Sequence, residues 1–516
     1  MSNQNNEIFV FDPKAKLFTF ILMAIGALSL FLSYYSGTDD MNHIRFWTNY
    51  LHNSVFFVGI AFTAVLFLAC HALAWGGWVA LFKRVNEAMM NFLYVGIVLF
   101  GILALCIWMN AEGTELLYLW NNPDYLDPNH PHFDSLAFHK SPFVNPIVYF
   151  LTVVVLAIWA LFAYLFRKIS LAEDTTPYSI TENNSVPDNV RKNRIYAAAF
   201  LPVAGFSSAF VIWQWVMSVD THWYSTLFAW YCTVSLFVSM VSFTYLIVLY
   251  LRSKGLLKKF TAEHTHDLGK YIFGFSVFWA YLWFSQFMLI WYANNGEETQ
   301  YFFIRFEQFK ILFFANLLLN FVSPFLILMM NTSKRTVGTL GFVAGLVIFG
   351  HWLDFYQMLK PGVWYNYEHK MHIMHEDAHG EVHGDHGEHS DNTYKLNTNQ
   401  TIPVLTTYQG EEDEGDHHSD SHHDDDHAHT NEHSHTGDHG EHADKGHHDS
   451  HATPKFQVGV HIPGFIEFGV FAGFLGLFLF VTLTSISRAP LYPANDPYIL
   501  ESEHYDTGYG PDRDPH

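Results

Sequence analysis

The stretch from Thr336 to Pro361, TVGTLGFVAGLVIFGHWLDFYQMLKP, decides how the rest of the chain is read. Its run from Thr336 to Leu359 can cross a bilayer, which takes about 20 predominantly apolar residues. The run ends at Lys360 and Pro361, where a helical N–H is lost, so the span is expected to stop there. Within it His351 and Asp354 are three residues apart and share one helical face. An ionisable pair inside a membrane-length segment is costly, which makes this face the leading candidate for a functional site.

Nine more runs of the same character surround this one. They are roughly Lys16 to Tyr35, Tyr50 to Ala74, Met89 to Met109, Val144 to Phe166, Ile195 to Ser218, Ser225 to Leu251, Tyr271 to Ala293, Phe309 to Asn331 and Ile462 to Ile486. The expected class is therefore an all-α integral membrane protein with ten transmembrane helices. Its parts are a cytoplasmic N-terminal tail (1–15), nine helices (16–359), an insert (360–461), a tenth helix (462–487) and a cytoplasmic C-terminal tail (488–516). The first run has no small-residue cleavage site before Tyr34 and Tyr35, so it reads as a retained helix and not a signal peptide.

Half of the 516 residues are hydrophobic, yet the formal charge is -22. The charge is local. Between His369 and His451 there are 20 Asp or Glu against three Lys, together with 20 of the 33 His. Such a tract cannot bury enough apolar surface to fold alone, and it reads as a disordered loop. Its imidazoles, His417, His418, His422 and His423 among them, are candidates for weak metal capture, with a solvated spacer as the plainer reading. The three cysteines, Cys70, Cys106 and Cys232, show no haem-attachment or iron-sulphur spacing. His52 and His71, both on the second run, are too far apart to ligate one haem iron.

Basic residues fix an expected orientation by the positive-inside rule. The N-terminus, alternate loops and the C-terminal tail hold 18 of the 27 Lys and Arg, including Lys83, Arg84, Arg167, Lys168, Lys334 and Arg335. Both termini are thus expected in the cytoplasm and the His-rich insert in the periplasm. With that orientation, His351 and Asp354 fall in the outer third of the ninth span. Gln214, Gln286 and Glu467 lie in the outer parts of theirs, and Asp220, His222 and His461 at outer ends. Towards the inside are His71, Glu87 and Asn91, with Asn316 and Asn320 between. Oxidation of a quinol needs a proton acceptor for each hydroxyl in a pocket whose walls are apolar. His351, Asp354, Gln286, Asp220, His222, Glu467, His71 and Glu87 are the proton-path candidates. Gln214, Gln286, His351 and Asp354 are the quinone-binding candidates. The plainer reading makes them inter-helix hydrogen-bonding and snorkelling groups.

Three motifs carry a resemblance: FSQFMLIWYANNGEETQYFFIR (284–305), GHWLDFYQMLKP (350–361) and RAPLYPANDPYILES (488–502). Together, and in this order among ten spans, they resemble the F subunit of alternative complex III, a bacterial quinol:electron-acceptor oxidoreductase. The resemblance implies an NrfD-like (polysulfide-reductase-like) fold, with helices two to five and six to nine as two four-helix bundles beside two further helices. It implies partners: a second NrfD-like ten-helix subunit, an iron-sulphur/molybdopterin-like subunit, haem c subunits and a cytochrome oxidase. Haem c and iron-sulphur clusters would then belong to the partners, with quinol as the candidate ligand here. Gln286, Asp354, His351, Asp220 and His222 match the family's polar positions. Where Arg is common before Trp-Leu-Asp in that family, this chain has His351.

The function expected is a bacterial inner-membrane subunit supporting electron transfer from menaquinol or ubiquinol to a periplasmic cytochrome. It carries proton translocation or a second quinone pocket as its own candidate contribution. A divalent-metal transporter with a His-rich loop and a structural anchor without a redox role are the alternatives. No nucleic-acid partner is expected.

Overall fold

In a computed structural model, residues 7–35, 40–175, 187–380 and 457–506 are described, with side chains omitted at Asp40, at His369 and over 371–380. The described residues belong to one compact unit. Residues 381–456, which hold most of the His-rich insert and all four candidate metal-capturing histidines, lie outside them.

Among the described residues, ten helices are long and apolar enough to cross a membrane, and the chain is an all-α integral membrane protein. They are α1 (Pro13–Tyr35), α2 (Met41–Leu73), α3 (Lys83–Trp108), α4 (Pro146–Ala172), α5 (Asp188–Val219), α6 (Thr226–Ser253), α7 (Ala262–Ala293), α8 (Lys310–Leu328), α9 (Val337–Glu368) and α10 (Phe465–Ile486). Neighbouring contacts run from α2 through α3 and α4 to α5, and α5 returns to α2. A second ring runs from α6 through α7 and α8 to α9 and closes on α6. The two four-helix rings meet where α2 packs on α6 and α9, which leaves α2 and α6 the most enclosed of the ten. Aromatic rings pack α2 against α3, α6 and α10: Phe57 lies within 6.4 Å of Phe92, Phe243, Phe471, Phe474 and Phe478.

Helices α1 and α10 form a separate pair. Their backbones meet at glycine, where a Cβ on Gly26 would stand 2.3 Å from the Cα of Gly473. Gly469 and Gly476 sit one turn to either side, each with its added Cβ against α1. This is the small-residue packing by which helices associate in lipid. Much of the rest of α1 is exposed and apolar, as in Phe18, Ile21, Leu28 and Phe31.

Two expectations about element ends are corrected. The second span begins ten residues earlier than Tyr50, so His52 lies well inside it and not at its end. The ninth helix does not stop at Pro361 but runs from Val337 to Gly380. Proline cannot donate to the carbonyl four residues back, here that of Gln357. Arg305, from the short helix Gly296–Glu307, supplies the missing donor: its Nε reaches Gln357 O at 3.2 Å and its Nη2 reaches Met358 O at 3.0 Å. Asp220 holds the same Nη2 at 3.0 Å. With that brace the helix continues, and His351 and Asp354 become the 15th and 18th of the 32 residues of α9. They stand near its middle and not in its outer third.

Candidate functional site

Asp354 is 2% exposed and sits inside the second ring, facing α6 and α7. Three donors converge on its carboxyl group. Tyr231 Oη donates to Oδ1, Ser235 Oγ donates to Oδ2 at 3.2 Å, and Trp279 Nε1 donates to Oδ2 at 3.0 Å. No Lys or Arg pairs with it among the described residues. A buried carboxyl group held by neutral donors alone is one whose proton can be exchanged without breaking an ion pair.

His351, fully buried, is tied to the same serine, with Nδ1 2.8 Å from Ser235 Oγ. When Asp354 is ionised, Ser235 gives its one proton to the carboxylate and His351 Nδ1–H donates to Ser235 Oγ. Nε2 is then the imidazole's bare nitrogen, and it has no hydrogen-bond partner among the described residues. His351 and Asp354 do not touch each other directly; Ser235 links them. Trp279 closes the cluster, its ring meeting the His351 ring edge-on at 5.6 Å.

More polar groups continue along the interior of this ring. Asn316 Nδ2 donates to Gln357 Oε1, one turn beyond Asp354. Asn316 Oδ1, both amide atoms of Asn320, Ser276 Oγ and Gln286 Nε2 are buried with no partner among the described residues. Asn320 lies in a π-helical turn, Leu318–Val322, and Gly350 makes room for it, since a Cβ there would be 2.2 Å from Asn320 Oδ1. Buried polar atoms are nearly always satisfied, which makes this group of open ones unusual within the ring.

The other candidates named from the sequence do not join this cluster. Gln214 lies on α5 in the first ring and donates to Phe143 O at 2.9 Å. Glu467, the third residue of α10, takes a two-pronged ion pair from Arg45 at 2.6 and 2.8 Å, a bond from Asn49 at 3.1 Å, and one from its own N-terminal turn at 2.9 Å. Asp220 serves the Arg305 brace. His222 pairs with Asp134 at 2.5 Å in the connection between α3 and α4. Burial pushes the Asp134 carboxyl up, but His222 and the amides of Ala137 and Leu136 outweigh it and hold it below 3.8.

At the opposite end of the helices, His71 and Glu87 line one cavity of about 100 Å³, together with Lys83, Glu173, Asn193 and Asp496. Glu87 faces Arg167 at 3.5 Å and Arg84 at 3.7 Å. Lys83 binds two carboxylates, Glu173 at 2.7 Å and Asp496. Burial drives Glu173 up most; Lys83 pulls it down, Asp496 adds to the rise, and it settles at about 7.

Sequence reasoning missed Tyr231, Ser235 and Trp279, the donors around Asp354. One sign was present: Ser235, Ser239 and Ser242 repeat along one face of the sixth run. It also missed Arg305, Arg45 and the buried Lys360, 5% exposed with its ammonium 5.6 Å from the Tyr356 ring. Among the described residues, no three His, Cys, Asp or Glu side chains gather to hold a metal ion.

No known family model matches this chain, and no curated protein matches it.

Proposed function

We propose that this chain is a membrane subunit of a quinol-oxidising respiratory complex similar to alternative complex III, and that Asp354 handles protons within it. The observation that carries the reading is the Asp354 cluster: one carboxyl group, three neutral donors and an adjacent imidazole, halfway along a membrane-length helix. A structural carboxyl group in lipid would be expected to carry a permanent cation beside it, as Glu467 and Asp220 do. The motifs around Gln286, Asp354 and Arg305 support the family assignment.

In this reading Ser235 and His351 extend the reach of Asp354 by two hydrogen bonds. The redox centres belong to partners: haem c subunits, an iron-sulphur subunit and a second ten-helix subunit. The chain lies in a bacterial inner membrane with its basic loops in the cytoplasm and the His-rich insert in the periplasm. Purification in mild detergent tests the assignment. Haem c and iron should co-elute with this chain in fixed ratio; a chain that elutes without either would refute it.

A further inference from the structure

The segment that follows α10 crosses back over the end of the bundle that holds His71. Pro490, Pro493 and Pro497 lack a backbone N–H and keep it out of a regular helix there. It lies instead across the end of α4, where Glu173 caps the helix. The last carbonyls of a helix have no partner within it, and the segment supplies one. Asn495 donates to Glu173 O from its backbone N–H at 3.2 Å and from Nδ2 at 2.8 Å. The Ala494 N–H reaches Asp174 Oδ1 at 3.4 Å. Asp496 and Tyr498 then form one wall of the cavity that His71 and Glu87 line.

Inside this contact two carboxyl groups share one ammonium. Lys83 Nζ is 2.7 Å from Glu173 Oε2 and also pairs with Asp496 Oδ2. No other Lys or Arg pairs with either carboxyl group among the described residues. Glu173 is 2% exposed and the side chain of Asp496 5%, so solvent screens their repulsion little. The other charges nearby are Arg84, which holds Asp174 at 2.8 Å and faces Glu87, and Arg167, which also faces Glu87. Arg194 is stacked on the Trp75 ring at 4.0 Å, and both nitrogens of His71 are occupied, by Phe67 O and Tyr271 Oη. In the linked network four carboxyl groups, Glu87, Glu173, Asp174 and Asp496, meet three cations, Lys83, Arg84 and Arg167. One proton brings it to neutrality. Glu173 is the carboxyl group that burial, opposed by Lys83 and aided by Asp496, raises to about 7.

We infer that residues 491–498 form a pH-operated latch over this cavity: Lys83 clamps the segment through Asp496 while Glu173 carries a proton, and the clamp loosens when Glu173 ionises and claims Lys83. With the segment in place, Glu173 is covered and has Asp496 as a rival for the lysine. With the segment away, Glu173 loses both and keeps Lys83. Docking therefore strengthens the hold of Glu173 on its proton, and by linkage the proton strengthens docking by the same factor. The latch is tightest below the ordinary glutamate value of 4.5 and loosens as pH rises towards about 7. Loosening removes the wall that Asp496 and Tyr498 provide and opens the cavity on that side. The latch rests on the packing of this segment and not on the role proposed for Asp354.

The test is hydrogen exchange, read by mass spectrometry on the full chain in phospholipid nanodiscs and corrected for the pH dependence of intrinsic amide exchange. Protection of the peptide holding Ala494 and Asn495 should fall by more than about tenfold between about pH 5 and about pH 7. The amides of Ser502 and His504 bond within their own turn, to Tyr498 O and Leu500 O, and should not follow. Glu173→Gln keeps the shape without the charge and should hold the segment at its acid-side protection throughout. Asp496→Asn removes the rival carboxylate; it should lower protection at the acid end and flatten the response. Wild-type protection that is the same at both ends overturns the inference. So does a wild-type fall that persists in either variant, or one that Ser502 and His504 share equally.

Discussion

Asp354 and Arg305 show two ways of keeping a charged residue type inside this helical bundle. Asp354 pairs with no Lys or Arg among the described residues and is held by hydroxyl and indole donors. Arg305, 2% exposed, is satisfied on all sides: Asp220, three backbone carbonyls and the face of Tyr301, 3.3 Å from its centroid. Removing one partner of such a buried pair leaves the other uncompensated and costs about 3–5 kcal/mol. Arg305→Ala should therefore lower the unfolding free energy of the detergent-solubilised protein by about that amount. The double change Arg305→Ala with Asp220→Asn should cost less than Arg305→Ala alone, because the stranded carboxylate is gone. A double variant as unstable as the sum of the two singles would show that the pair is not coupled.

At the scale of elements, the ninth helix separates what is local in the sequence from what is not. All ten spans were legible, because length and apolar content are local properties. The end of α9 was not, because continuation past Pro361 depends on Arg305, 56 residues earlier in the chain, reaching the carbonyl that proline leaves open. His351 and Asp354 were visible as an ionisable pair. Their geometry was not, since Ser235 and Tyr231 come from α6 and Trp279 from α7. For the same reason the polar set expected on helices five, seven, nine and ten comes apart: Gln214 turns to Phe143 O and Glu467 to Arg45, away from Asp354.

The C-terminal segment after α10 behaves as a strap. Asp496 reaches Lys83, Asn495 bonds Glu173 O at 2.8 Å, Ser502 bonds Trp78 O at 2.6 Å, and Tyr505 bonds Asp267 at 2.5 Å. Glu173 titrates at about 7 here against 4.5 ordinarily, so the folded chain binds the extra proton between those values. Its contribution to stability is complete below the lower value and is lost as pH rises through the upper one. Glu173→Gln should therefore remove the part of the fall in thermal stability that this group contributes between about pH 4.5 and about pH 7. A variant curve with the wild-type slope over that interval would contradict the assignment.

On the scale of the whole molecule, two four-helix rings share a seam at α2, α6 and α9, with α1 and α10 paired alongside. The Asp354 cluster lies inside the second ring, between α9, α6 and the α7 that supplies Trp279. The central claim is that the enclosed carboxyl group exchanges protons during quinol oxidation. Asp354→Asn keeps the shape and the acceptor oxygen but cannot release a proton. The direct measurement is quinol-driven turnover and protons released per electron in membrane vesicles holding the assembled complex. We predict that turnover falls by about a hundredfold or more, the usual scale for loss of a proton-transfer group, or that fewer of the protons freed from quinol appear outside the membrane per electron, with subunit composition unchanged. Wild-type turnover and proton yield in a correctly assembled Asp354→Asn complex would contradict the account.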